Sequence, residues 1–232
     1  DIAREAKEKF ARHIEVRTMH SFAYRELGIG RFKDQLQPGA IRRQQLREAA
    51  EAALGAEGAR MPAEVLRRIS WGFRRYLISD DPKLTHEHMP PLEGLPWKYA
   101  QVMRAAVKIT RHLMDFRQNG GPFNHDMYLK AYGLEQQAGE TPPLTPKYAL
   151  IDEAQDLSPI LVGIAKRFQV PLVIVGDTYQ SIYAFRGAVA AMNMFEGPRL
   201  PLTQSWRFGP AIADAANQIL ELANTPPEHR IR

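Results

Sequence analysis

The sequence predicts an α/β fold in which a parallel sheet with flanking helices is interrupted by an all-helical insertion. Three observations predict it. From Tyr148 onward, strand-like apolar runs alternate with helical ones, in YALID, SPILVGIAKRF and PLVIVGD. Between about Gly30 and Gly133 the apolar residues recur three and four apart, the period of a helix packed on one face. Finally, YALI runs straight into DEAQD, and carboxylates are costly to bury, so this strand must end at a surface a ligand can reach.

In chain order, residues 1–12 read as the tail of an amphipathic helix, 14–18 (IEVRT) alternate like a short strand, and MHSFAYREL returns to helical spacing. A chain that opens inside a helix is expected to begin partway through a larger design. The insertion holds expected helices at 39–54, 62–78, 96–118 and 124–132, separated by the breaks GARMP, MPPLEGLP and NGGP. A Pro- and Thr-rich tract, Gly139–Pro146, closes it. The strand YALID follows, then a helix with Pro159 in its first turn, then PLVIVGD, an apolar run of the kind covered on both faces. A short helix near 188–194, a strand at 199–203 (RLPLT) and a helix from about Pro210 to Leu222 complete the order. The expected boundaries are 1–29 with 134–209 for the core, 30–133 for the insertion, and 210–232 for a further unit or linker helix.

Composition narrows the chemistry. The 232 residues include no cysteine, which excludes disulfides, thiolate nucleophiles and cysteine zinc sites and fits a reducing compartment. No apolar run approaches the ~20 residues of a membrane span, and DIAREAKEKF is a charged helix former, not a signal peptide, so an intracellular protein is expected. A net charge of +5 and a pI near 9.5 lean toward a polyanionic partner.

In an open parallel sheet, ligands collect outside the carboxyl ends of the strands. Asp152 and Glu153 leave one expected strand and Asp177 leaves the next, which supplies a single cleft from two neighbours. An aspartate placed directly after an apolar strand can hold magnesium through water, and the adjacent glutamate can orient or deprotonate an attacking water. The plain alternative is that acids at strand ends cap the next helix, as Asp156 is expected to do before SPIL. The loop YAFRGA gathers Tyr183, Phe185 and Arg186, rings and a guanidinium suited to stacking on bases at ~1–3 kcal/mol each. On the helix at 62–78, Val65, Ile69, Phe73 and Tyr76 share one face, while Arg67, Arg68, Arg74 and Arg75 share the other with Trp71. That basic face is either simply solvated or a nucleic-acid contact through Trp71 and Arg74.

IDEAQD, VGDTYQSIYAFRGA (175–188) and LTQSWRFG (202–209) resemble three consecutive motifs of superfamily 1 DNA helicases of the UvrD and Rep kind, and RTMHSFAYREL (17–27) resembles their TxHSFA segment. QSWRFG and HDMYLKAYG (125–133) look most like the F-box DNA helicase branch, although no F-box is visible. The resemblance implies a RecA-like core with the P-loop NTPase fold, a 1B-like insertion, and the opening of a second motor domain at 210–232. It implies ATP and Mg2+ as cofactors. Asp152 would hold magnesium and Glu153 would be the catalytic base, with Gln155 and Gln180 sensing the γ-phosphate and its water, Asp177 lining the nucleotide site, and Arg207 reaching the γ-phosphate. Trp206 would stack on adenine, the alternative being a core tryptophan. Tyr183, Phe185 and Arg186 would grip single-stranded DNA, and Thr18, His20 and Ser21 would offer donors to its phosphates with Phe22 packed beneath.

One departure is plain. The motor family needs G-x-x-x-x-G-K-[ST], and the sequence has none; GIGRFK (28–33) has the wrong spacing and follows a helix. A helicase fragment and a degenerate DNA-binding relative both fit that departure, and the retained Glu153, Gln180 and Arg207 favour the fragment. The expected partners are single-stranded DNA and single-strand/duplex junctions, with no membrane; movement 3′ to 5′ and a role in DNA repair are implied by resemblance alone. The expected location is the cytoplasm and nucleoid, or the nucleus. The isolated chain is expected to show little or no ATPase activity. A third possibility, a magnesium-dependent phosphohydrolase or nuclease built on Asp152, Glu153 and Asp177, leaves QSIYAFRGA unexplained.

Overall fold

Amphipathic periodicity dictates most of the architecture. The computed structural model describes residues 13–91, 93–94, 97–142, 146–181, 191–222, 225 and 230–232, which are mostly helical with a small two-stranded parallel sheet. The chain divides into two compact units, residues 1–194 and 195–232, each described by itself.

In the first unit, α1 (Met19–Glu26) starts at Thr18, whose Oγ1 accepts the Ser21 N–H at 3.1 Å. Next come α2 (Arg43–Leu54), α3 (Ala63–Ile78), α4 (Tyr99–Met114) and α5 (His125–Gln137). On α3 the spacing predicts the inward face correctly: Val65, Ile69, Phe73 and Tyr76 are all buried. The expected helix at 96–118 is instead α4 plus a separate turn, Phe116–Asn119, because Asp115 leaves helical geometry. From that turn Phe116 stacks on Phe123 at 4.3 Å between centroids. Every residue from Met127 to Gly133 on α5 is buried, which makes α5 the axis against which α1 and α3 pack.

That axis carries a lysine. Lys130 is fully buried, and its Nζ donates to the carbonyls of Ser79 at 2.8 Å and Asp81 at 2.6 Å while lying 4.2 Å from the Tyr76 ring. Beside it Asp80 accepts both arms of Arg167, at 2.9 and 2.7 Å, and His88 Nε2 faces Ser79 Oγ at 2.9 Å and an Asp81 carboxylate oxygen at 3.0 Å. The Asp80 carboxylate occupies the space a Cβ on Gly163 would need, 2.2 Å away, so only glycine fits there. This cluster ties the end of α3 to α5 and to α6 (Pro159–Lys166), the helix that follows the first strand.

The strands are β1 (Ala149–Ile151) and β2 (Leu172–Ile174), paired in parallel with Ala149 opposite Leu172 and Ile151 opposite Ile174. Pro159 opens α6 as expected. Four expectations are corrected. Residues 14–18 join no ladder among the described residues, with Ile14 in a bend and Thr18 extended but serving as a helix cap instead of a strand end. Residues 199–203 form no strand either; in the second unit the backbone of Thr203 and Ser205 pairs with Arg232, at 2.8 and 2.9 Å. The sheet is covered on one face only. Opposed residues of a ladder share a face, so Leu150 and Val173 stand out together, 56 and 48% exposed, while Ile151 turns inward at 7%. Among the described residues the parallel sheet consists of these two strands. Lastly, Asp156 does not cap α6, because it lies in the 3-10 turn Ala154–Asp156 and Ser158 takes the cap position.

The second unit is built on α7 (Pro210–Leu222), whose buried Asn217 exchanges two hydrogen bonds with the Ile231 backbone, both 2.9 Å. Among the described residues no helix is long and apolar enough to cross a membrane.

Burial lowers the Lys130 pKa to about 8 and Arg167 adds to the shift, while Asp80 and Asp81 oppose it. The unfolded chain therefore binds the extra proton between pH 8 and the ordinary lysine range, and stability rises with pH across that window. Burial also raises Tyr76, Tyr128 and Tyr132 to about 12, which lowers stability toward pH 10, so the lysine is read from the difference between parent and Lys130→Met. That difference should grow by roughly 2 kcal/mol in urea unfolding between about pH 8 and 10. Parallel profiles of parent and variant would contradict the buried charge.

Candidate functional site

The two strands end side by side, and their exits are locked by backbone before any side chain acts. Val175 N–H donates to Ile151 O at 2.8 Å, and Ala154 N–H to Val175 O at 2.9 Å. The acids that follow are therefore held at the carboxyl edge of the sheet.

Glu153 stands there with φ 53° and ψ 39°, left-handed geometry that a non-glycine residue adopts at a cost. The bend turns Ala154 and Gln155 inward while Asp152 and Glu153 stay exposed. Gln155 is 3% exposed and fully committed: its Nε2 donates to Glu153 Oε2 at 2.6 Å, and its Oε1 accepts the Asp177 N–H at 3.0 Å. Asp177 then accepts from Tyr179 N–H at 2.9 Å through Oδ1 and from Gln180 Nε2 at 2.8 Å through Oδ2. A continuous relay results, Glu153–Gln155–Asp177–Gln180, spanning both strand ends. Gly176 makes the approach possible, since a Cβ there would lie 2.7 Å from Gln155 Oε1 and 3.1 Å from the Ala154 nitrogen.

The relay sorts the acids by task. Asp177 has both carboxylate oxygens occupied, so it positions Gln180. Asp152 accepts only the Glu153 N–H, at 3.0 Å through Oδ1, which leaves its other oxygen facing solvent among the described residues. Glu153 keeps Oε1 free and has Oε2 held by the amide, a carboxylate aimed by its neighbour.

Other sequence-predicted residues fall elsewhere. At the first turn of α1, Thr18 is spent on the cap, Ser21 is exposed and His20 is half-buried. Phe22 packs edge-on against Tyr132 and Phe168, as expected of a residue beneath them. Trp71 is 45% exposed on α3 with the Arg75 guanidinium 4.7 Å over its ring, and Arg74 is exposed beside it. Trp206 and Arg207 belong to the second unit, where Trp206 is 91% exposed; a core tryptophan is thus ruled out within that unit. Tyr183, Phe185 and Arg186 lie outside the described residues.

Two features escaped the sequence. His125, in the first turn of α5, stands edge-on to His20 at 6.3 Å and shares a 2.9 Å hydrogen bond with the Tyr128 hydroxyl, so the opening turns of α1 and α5 form one surface. Its signals in the sequence were the helix start at NHD and its place at the head of HDMYLKAYG, neither of which pairs it with His20. The other is Ser79, His88 and Asp81, which have the composition of a nucleophilic triad without its geometry. Serine and aspartate both meet Nε2, and Nδ1 accepts the Thr85 N–H at 3.0 Å. Burial lowers the pKa of His88, with Asp81 opposing, so a neutral structural imidazole is held there.

Residues 125–196 match the UvrD/REP helicase N-terminal domain. The chain is 33% identical over 167 residues to F-box DNA helicase protein 1 of Schizosaccharomyces pombe, covering 68% of this chain and 19% of that protein. It is 39% identical over 99 residues to F-box DNA helicase 1 of Gallus gallus, 42% of this chain and 9% of the relative. It is 36% identical over 86 residues to DNA helicase IV of Escherichia coli, 32% of this chain and 13% of the relative. The chain thus spans a fifth or less of these relatives.

Gly176→Ala should destabilise the first unit by about 1–3 kcal/mol in urea unfolding, because the added methyl meets a committed amide. Gly30→Ala, whose new Cβ would sit 3.7 Å from the Tyr24 hydroxyl, is the matched control and should stay within about 0.5 kcal/mol. Equal effects at both positions would contradict the packed strand junction.

Proposed function

We propose that this chain, a segment of a UvrD-type superfamily 1 helicase, supplies the strand-end half of an ATP site and part of the DNA track of a motor moving on single-stranded DNA. The relay Glu153–Gln155–Asp177–Gln180 carries the proposal. It joins a strained, aligned carboxylate to an exposed amide through a buried one. A relative that merely bound DNA would have no use for that arrangement.

The donor set fits a magnesium nucleotide. Among the described residues no three acids or histidines converge on one point. A lone exposed aspartate after an apolar strand suits a hard cation that keeps its waters and shares phosphate oxygens. Asp152 is the residue to hold it. The magnesium nucleotide supplies the phosphoryl group and neutralises the charge that develops on it. Glu153 accepts the proton of the attacking water through its free oxygen, with the Gln155 amide fixing its direction. Gln180, set by Asp177, donates toward the terminal phosphate, and any shift there is passed back to Glu153 along the hydrogen bonds of the relay. By resemblance to the family, Arg207 is assigned to the γ-phosphate and Trp206 to stacking on adenine. On the DNA side we assign Tyr183, Phe185 and Arg186 to stacking, His20 and Ser21 to phosphates, and Trp71 with Arg74 to a contact on the insertion. The first unit is taken as the motor core with its 30–133 insertion, 3′ to 5′ movement and a preference for single-strand/duplex junctions are adopted with the family, and the cytoplasm or nucleus is the compartment that holds the substrate.

In a motor containing this chain, Glu153→Gln should lower the ATPase kcat by about 10²–10⁴ with nucleotide affinity kept within a few fold. The chain of 232 residues by itself should hydrolyse little or no ATP. Unchanged turnover in the substituted motor would overturn the assignment of Glu153, and robust hydrolysis by the isolated chain would overturn the division of labour.

A further inference from the structure

The sequence places the basic surface of the helical insertion on α3, yet the structure shows those cations largely engaged. Glu64 binds Arg67 at 2.7 Å and Arg68 at 3.1 Å, Arg68 also donates to the Pro91 carbonyl, and Arg75 lies on Trp71. Helix α4 differs. Its 16 residues contain no acid, and Arg104, Lys108 and Arg111 are exposed with no side-chain hydrogen bond or ion pair among the described residues. At 3.6 residues per turn the three fall within an arc of about 60°, opposite the buried face of Val102, Ala106, Ile109 and Leu113. The nearest acids in sequence and packing are Asp115 at the helix end and Glu48 and Glu51 on α2, which packs against α4; none forms an ion pair with the stripe.

We propose that this stripe is a docking surface for the phosphate backbone of duplex nucleic acid. From Arg104 to Arg111 the helix rises about 10 Å, roughly three phosphate-to-phosphate intervals of one strand at about 3.4 Å of axial rise each, so three cations spread along it can reach three phosphates. Ala100, Gln101 and Val107 complete the face around the stripe, and the one exposed ring of the helix, Tyr99 in its first turn, lies about 140° around the axis from Arg104, so the stripe itself offers no ring on which an unpaired base could stack. Cations in a fixed line without stacking platforms suit a regular duplex edge and give no sequence preference. The stripe rests on the nucleic-acid function proposed above and adds to it a place for paired strands, apart from the single-strand contacts.

The test uses the full 232-residue chain and a triple variant, Arg104→Gln, Lys108→Gln and Arg111→Gln, with far-UV circular dichroism and urea unfolding as the check on folding. Fluorescence anisotropy measures binding to a blunt duplex of about 20 base pairs and to a single strand of equal length over a range of salt. Neutralising three phosphate contacts should reduce the duplex salt slope by about 2.7, so that the parent loses roughly 40-fold more affinity than the variant between about 50 and 200 mM salt. Single-strand affinity should change by less than about twofold, on the ground that those contacts lie elsewhere. An unchanged duplex slope overturns the surface, and an equal loss on both ligands overturns its assignment to paired strands. Failure of the parent chain to bind either ligand overturns the nucleic-acid function itself along with the surface. If the triple variant unfolds, Arg104→Gln and Arg111→Gln made singly each carry about one third of the slope change, and no change in either overturns the proposal.

Discussion

One buried amide organises the site. Gln155 sits buried where β1 and β2 end, donates to Glu153 and accepts from the backbone of Asp177. A buried polar group left without partners costs on the order of 1–3 kcal/mol, so Gln155 effectively compels the two strand exits to stay in register. The strained backbone of Glu153 follows from the same demand, because only a sharp left-handed turn brings residue 155 back beneath residue 153. Strain that is held by surrounding contacts is a usual mark of a working site. Here it presents an acid to solvent while its neighbour is packed away.

The helical part of the first unit is joined to this junction through charge as well as through apolar packing. Lys130 on α5 holds the turn after α3, and Asp80 of that turn clamps Arg167 after α6, the helix linking the two strands. Keeping an ammonium buried is unfavourable, and it persists here because two carbonyls and a ring surround it and two aspartates lie close. Helices α3 and α5 are thereby tied to α6, the helix between the two strands.

Much of this was legible in the sequence. Helical period located α2, α3, α5 and α7, and apolar runs ending in acids located β1 and β2 along with Asp152, Glu153 and Asp177, while Gln155 and Gln180 were singled out by the resemblance to the motor family. What failed was local alternation without a partner. The segments 14–18 and 199–203 have strand-like patterns, but a strand exists only where another offers a ladder, and that information is not local. Asp156 failed for a related reason, since the turn demanded by Gln155 draws it out of the capping position. Lys130 was unreadable because its neighbours suggest nothing of the carbonyls of 79 and 81 that receive it. The basic face was assigned to α3 on its count of arginines, whereas Glu64 and Trp71 decide which of them remain available.

The relay is tested most directly by a double-mutant cycle of Gln155→Ala with Gln180→Ala, each monitored by urea unfolding and by the amide-proton shifts of Asp177 and Tyr179. If the four groups act as one unit, the double variant should depart from additivity by about 1 kcal/mol, and each single change should move both reporter amides. Additivity within about 0.3 kcal/mol, with the Asp177 and Tyr179 signals unmoved, would mean that the strand ends are merely adjacent and that no connected site exists there.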